Sequence, residues 1–185
     1  MAARQPKTPV DKNSPEYLSQ QISSGRGTLL GIIILTALNE VMLLLDTGRY
    51  FLFSASIPYY LTWFGKILDN GTSDGSGAII AKYTIIAILV SLVILGVYLL
   101  CWFLSKKRIG WLTAATILFA IDTVLFIIFA FTVLAEPMRC LLDFLLHAVA
   151  VYQMIAGILS HKKLRKLQAA APLTPEGYRG TTPEL

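Results

Sequence analysis

Residues 109–134 read IGWLTAATILFAIDTVLFIIFAFTVL, and Asp122 is the one ionisable side chain among them. A helix rises about 1.5 Å per residue, so this run can cross a hydrocarbon layer ~30 Å thick. Three more runs share the pattern: 28–45 (TLLGIIILTALNEVMLLL), 80–104 and 140–159. A soluble core would instead show amphipathic helices or alternating strands. Composition agrees, with 55% of the 185 residues hydrophobic and only 15% charged; soluble domains carry about 25% charged residues. The expected fold is therefore an all-α integral membrane protein built as a four-helix transmembrane bundle over 28–159.

Between the first two spans lies YFLFSASIPYYLTWFGKIL, residues 50–68, which holds seven of the chain's aromatic residues. Ser56-Ile57-Pro58 reads as a cap followed by a new helix, too short after the proline to span. Tyr60, Trp63, Phe64 and Ile67 follow helical spacing. The pattern predicts an additional amphipathic helix over 57–68, lying on the extracytoplasmic interface. Its aromatics Tyr59, Tyr60, Trp63 and Phe64 serve either as an interfacial belt or as a lid over the bundle. The following stretch, 69–77, is dense in turn formers and contains a glycosylation sequon, Asn70-Gly71-Thr72.

Residues 1–27 form a polar leader with no apolar h-region, so no cleaved signal peptide is expected. Ser14-Pro15-Glu16 starts a short surface helix, which Ser23-Ser24-Gly25-Arg26-Gly27 is expected to break. The last span runs on into a basic segment, and the proline-containing remainder of 160–185 reads as a disordered tail.

Charge gives an orientation. The leader, the link 105–108 and the carboxyl segment hold 12 of the 16 Lys and Arg residues; Arg49, Lys66, Lys82 and Arg139 are the other four. Basic short segments stay cytoplasmic, which predicts both termini at the cytoplasmic face of a cell membrane. Lys106, Lys107, Arg108, Lys162, Lys163, Arg165 and Lys166 would then meet anionic lipid headgroups. The net charge of +5 flanks apolar runs rather than covering a soluble domain, so nucleic acid is not an expected partner.

Four ionisable residues lie within the spans: Glu40, Asp122, Asp143 and His147. A charge at the bilayer centre costs roughly 2.5–3.5 kcal/mol on insertion scales, so each needs a reason. Counting along the helices puts Glu40 about 8 Å below the outer end, and Asp143 and His147 about 5 and 10 Å below theirs. Asp122 lies about 18 Å down. Asp143 and His147 are i, i+4 neighbours, while Thr36, Asn39 and Glu40 share a stripe. An outward-facing polar pocket of Asn39, Glu40, Asp143 and His147, floored by Asp122, is one expectation; interhelical hydrogen bonds with a purely structural role are the other.

Cys101 and Cys140 fall near opposite faces, and neither sits in a metal-ligand spacing, so no metal or cofactor is expected. No GxSxG, HExxH, Walker A or dinucleotide motif is present. The functional expectation is a non-catalytic accessory or binding subunit, in the company of a membrane-protein partner or further copies of itself. The alternative is a proton-coupled small-molecule transporter using the intramembrane carboxylates and His147.

Overall fold

The computed structural model describes residues 11–71, 81–134 and 137–170. Thr72 of the sequon, the turn-rich stretch to residue 77, the first ten leader residues and the expected tail beyond 170 lie outside the described residues. The chain forms α1 (Pro15–Leu44), α2 (Ser56–Gly71), α3 (Lys82–Leu104), α4 (Ile109–Thr132), a 3₁₀ turn at Pro137–Cys140, and α5 (Leu141–Ala170). There is no strand among the described residues. Four helices, all but α2, are long and apolar enough to cross a membrane.

α1 starts as its sequence dictates. The Ser14 hydroxyl accepts from Tyr17 N at 3.2 Å, Pro15 occupies the first turn, and Glu16 faces the positive end of the dipole. The expected break at 23–27 does not occur: α1 is one 30-residue helix. Its glycine serves packing instead. α1 and α5 run antiparallel and touch backbone to backbone where a Cβ on Gly25 would meet Gln153 O at 3.1 Å, and one on Gly157 would meet Gln21 O at 3.2 Å. A glycine costs about 1 kcal/mol in a helix interior, which close packing of two long helices offsets.

The two ends of the bundle differ. At one, Arg26 Nε donates to Ser105 Oγ at 3.2 Å and Lys163 donates to Asn13. The basic link and the basic part of α5 thus share this basic end, with Lys106, Lys107, Arg108, Lys162, Lys163, Arg165 and Lys166 all exposed. Cys101 is buried toward it, Cys140 lies toward the other, and neither forms a disulfide. The opposite, loop end holds the segment joining α1 to α2.

The half nearer the basic end is packed by Leu29, Ile32, Tyr98, Leu112, Phe119 and Met154, among others. In the half nearer the loop end the long helices part, and α2 fills the space between α1, α3 and α4. α2 buries Pro58, Thr62, Gly65 and Asp69 at helical spacing. It does not lie across the top of the bundle as a surface segment would. Its amino end is inside, bonded to Asp122 at the middle of α4, and its carboxyl end rises to the start of α3.

The outside of the bundle is apolar and the inside carries the polar groups. Ile85, Leu89, Leu92, Val93 and Phe103 on α3 are each more than half exposed, whereas Thr36, Asn39, Thr62 and His147 have no exposed surface. This reverses the usual arrangement of a protein folded in water.

Candidate functional site

The connector 45–55 descends from the end of α1 into the bundle without forming a helix. Its backbone amides therefore need acceptors, since burying an unpaired N–H costs about 1–3 kcal/mol. Side chains from three helices supply them. The Asn39 carbonyl accepts from Phe51 N, and its amide donates to Phe51 O and Ser54 Oγ, each at 2.7 Å. Asp143 Oδ1 accepts from Phe53 N at 3.3 Å, and its Oδ2 takes the Tyr50 hydroxyl. Burial and then that bond push the Tyr50 hydroxyl above the ordinary phenol range, so it remains a donor. Thr36 Oγ1 accepts from Ala55 N at 2.8 Å while donating to Ile32 O.

Asp122 completes the series. Its two oxygens accept from Ser56 N at 2.9 Å and Ile57 N at 2.7 Å, the first amides of α2. A carboxylate on the amino end of a helix meets both unpaired donors and the positive end of the dipole. Phe53, with φ of +69°, holds a conformation that bulky residues rarely adopt, and Asp46, at +50°, shares the left-handed region that Asp tolerates better.

Helix ends nearby are closed in the same way. Asp69 accepts from Tyr83 N at 3.0 Å and Thr84 N at 2.8 Å, capping α3. Lys66 donates to Leu43 O at 3.0 Å and pairs with Asp46, closing the carboxyl end of α1. Carboxylates sit on amino ends and the ammonium on a carboxyl end, as the macrodipole favours.

His147 is fully buried, its ring stacked on Phe119 at 5.0 Å and tilted against Phe126 at 5.4 Å. Nδ1 lies 2.9 Å from the carbonyl of Asp143, so that nitrogen carries a proton. Nε2 lies 3.4 Å from Ser56 Oγ and 3.8 Å from Asp122 Oδ2. The His147 ring is therefore oriented by the Asp143 backbone carbonyl, with the Asp143 carboxylate 3.6 Å away and committed to the connector. The Ser56 and Ile57 amides beside this ring are both held by Asp122.

The structure joins Asp122, Asp143 and His147 in one cluster, with Asn39 of α1 bonded to the same connector. It does not bring Glu40 to them. Glu40 points between α2 and α3, where Oε2 lies 2.7 Å from Thr62 Oγ1, in hydrogen-bond contact. Thr62 Oγ1 is 3.4 Å from Ser91 Oγ, which donates to Pro58 O at 3.1 Å. The space expected to be an outward polar pocket is filled by the connector itself. Thr36, Thr62 and Ser91 complete these networks; a lone hydroxyl in an apolar run was the only signal for Ser91.

The aromatic residues divide. Tyr60 packs 4.3 Å from Phe129 and 6.0 Å from Phe126, and Phe64 also meets Phe129, so this face of α2 leans on α4. Tyr59 and Trp63 line a cavity of about 350 Å³ at the loop end, between α1 and α2, with Asp46, Arg49, Lys66 and Asn70. No group of metal-ligating side chains occurs among the described residues. No protein-family model, curated protein or solved structure matches the chain.

Proposed function

We propose that this chain is a multi-pass membrane protein with both ends at the cytoplasmic face, acting without catalysis as a binding or accessory subunit. The inside-out distribution of polarity supports membrane insertion, because such an apolar perimeter is stable against lipid and not against water. The basic end would face anionic headgroups on the cytoplasmic side. With Lys107→Cys in a background lacking Cys101 and Cys140, a membrane-impermeant maleimide should label only after the cytoplasmic side is opened. Labelling in intact cells would invert the topology.

The observation that carries the binding role is the loop-end cavity. Its volume falls within the roughly 300–1,000 Å³ of small-molecule sites. Lys66 is committed to Asp46 and Leu43 O, while the exposed Arg49 guanidinium makes no ion pair among the described residues. Aromatic walls and an uncommitted cation suit a small amphipathic anion, one phosphate or carboxylate on an apolar body. α2, rather than lying on the extracytoplasmic interface, would be a half-depth helix whose Tyr59 and Trp63 form one wall of the site.

Calorimetric titration of the protein in lipid nanodiscs with short-chain phosphatidate and with its uncharged diacylglycerol counterpart tests this. Saturable binding of the phosphatidate, weakened at least tenfold by Arg49→Ala, is expected. Equal binding of both, or indifference to Arg49→Ala, would remove the anion-binding role. The second reading, a proton-coupled transporter, draws support from the buried carboxyl of Glu40. Substrate-driven proton flux in proteoliposomes would favour it, and stoichiometric co-purification with another membrane protein would favour the accessory role.

A further inference from the structure

Glu40 has two features that its neighbours do not explain. Its side chain is 8% exposed, yet Oε1 is the one buried side-chain nitrogen or oxygen without a hydrogen-bond partner among the described residues. Its other oxygen begins a row of contacts that crosses three helices: Glu40 Oε2 on α1, Thr62 Oγ1 on α2, Ser91 Oγ on α3, and Pro58 O back on α2.

The protons this row can hold depend on the state of Glu40. It has three contacts and ends on a carbonyl, which can only accept. If Glu40 is a carboxylate, the two hydroxyls bring two protons. Thr62 must donate to Glu40 and Ser91 to Pro58, and the 3.4 Å approach of Thr62 to Ser91 then holds no proton. If Glu40 is a carboxylic acid, the row runs in one direction. Glu40 donates to Thr62, Thr62 to Ser91 and Ser91 to Pro58 O, with one proton in every contact.

The unpartnered oxygen agrees. A neutral carbonyl oxygen left without a donor in a buried site costs about 1–3 kcal/mol, and an uncompensated buried charge costs more. Among the described residues no cation is placed to compensate one. From α2, Tyr59 faces Glu40 and carries no positive charge, and Lys66 is held by Asp46 and Leu43 O nearer the loop end. From α1 the nearest polar neighbour is Asn39, already bonded to the connector. The described part of α3 presents Ser91 and no ionisable side chain to this site.

We propose that Glu40, Thr62, Ser91 and the Pro58 carbonyl form a proton-binding site, with the proton carried on Glu40 in this structure. That proton fastens α2 to α1 and α3. Losing it leaves a buried carboxylate with a single donor, which favours separation of α2 and entry of water. This assignment is independent of what fills the loop-end cavity, and its test does not use a ligand of that cavity.

The test is infrared spectroscopy of the full chain in lipid nanodiscs at neutral pH. A carbonyl band of a protonated carboxylic acid is expected in the wild type, lost completely in Glu40→Gln and retained in Asp143→Asn. Thr62→Val should shift the band upward in frequency, because the acid O–H loses its acceptor. An absent acid band overturns the proposal, as does one that survives Glu40→Gln. Loss of the band on adding sodium at constant pH also overturns it, by marking a metal-cation site built from the same oxygens. Should Glu40→Gln fail to fold, wild-type protein with ¹³C-labelled glutamate carboxyls decides the matter. Glu40 is the one glutamate inside an apolar run, and a carboxyl spectrum with no neutral glutamate overturns the assignment.

Discussion

The two halves of the bundle are held together by different means. Toward the basic end, Leu29, Ile32, Leu112, Phe119 and Met154 pack as any apolar core does, and Gly25 and Gly157 let α1 and α5 meet at their backbones. Toward the loop end, four side chains (Thr36, Asn39, Asp122 and Asp143) receive the amides of Phe51, Phe53, Ala55, Ser56 and Ile57. The difference follows from the backbone each half contains. Regular helices satisfy their own N–H groups, so their packing needs no polar side chains. An irregular connector and a helix that begins inside the bundle do not, and such backbone is tolerated in an apolar interior only where side chains complete its bonds. Asp122 and Asp143 are costly inside apolar helices, and they offset that cost by holding the start of α2 and the connector in place.

The largest effect should come from Asp122→Ala. Two buried amides would lose their acceptor at about 1–3 kcal/mol each, a destabilisation of roughly 2–6 kcal/mol in denaturant unfolding from micelles. Asp122→Asn keeps one acceptor oxygen and should lose about half as much. Leu112→Ala in the other half should cost about 2–5 kcal/mol through its cavity. The two lesions separate by hydrogen exchange: Asp122→Ala should expose the amides of 55–57, and Leu112→Ala should leave them protected. Equal protection in both variants would mean that the halves do not differ in the way described.

Glycine contacts give a smaller and sharper contrast. A Cβ on Gly65 would meet Tyr83 O at 2.8 Å and the Thr84 backbone at 2.9–3.0 Å, whereas one on Gly25 meets its nearest atom at 3.1 Å. Both alanine variants press a Cβ against backbone, an overpacking worth about 1–3 kcal/mol, and Gly65→Ala should fall at the upper end because its backbone neighbours lie closer. Thermal unfolding in detergent reads the ranking. A Gly65→Ala protein as stable as the wild type would mean that α2 is loosely seated on α3.

Much of this contrast was legible in the sequence. Four apolar runs are long enough to span, and the i, i+4 spacing of Asp143 and His147 foretells their contact. Three features were not legible, each for a physical reason. The start of α2 is fixed by Asp122, about 65 positions along the chain, and nothing local to Ser56-Ile57-Pro58 encodes depth. Asn39 and Glu40 lie at nearly one depth, but successive residues of a helix point about 100° apart, so one meets the connector and the other meets α2. Gly25-Arg26-Gly27 resembles a break, yet a glycine facing Gly157 across a close helix pair is compatible with an unbroken α1.

The smallest expected effect lies at the loop-end rim, where Asp69 caps α3. Burial acts to raise the Asp69 carboxyl, but the bonds from the Thr84 hydroxyl and the Thr84 and Tyr83 amides outweigh it and hold the group below its usual range. A carboxyl depressed in the folded state contributes stability above its unfolded pKa, about 3.9. That contribution falls as the pH drops below this value and is gone once the pH passes the lower folded pKa. Asp69→Asn keeps the side-chain size and one acceptor oxygen while removing the charge. The wild type should therefore unfold at a higher temperature than Asp69→Asn at neutral pH, and the gap should close on acidification below about pH 4. A gap that persists at low pH would show that the cap acts through packing or hydrogen bonding alone. A gap absent at every pH would show that α3 begins without help from α2.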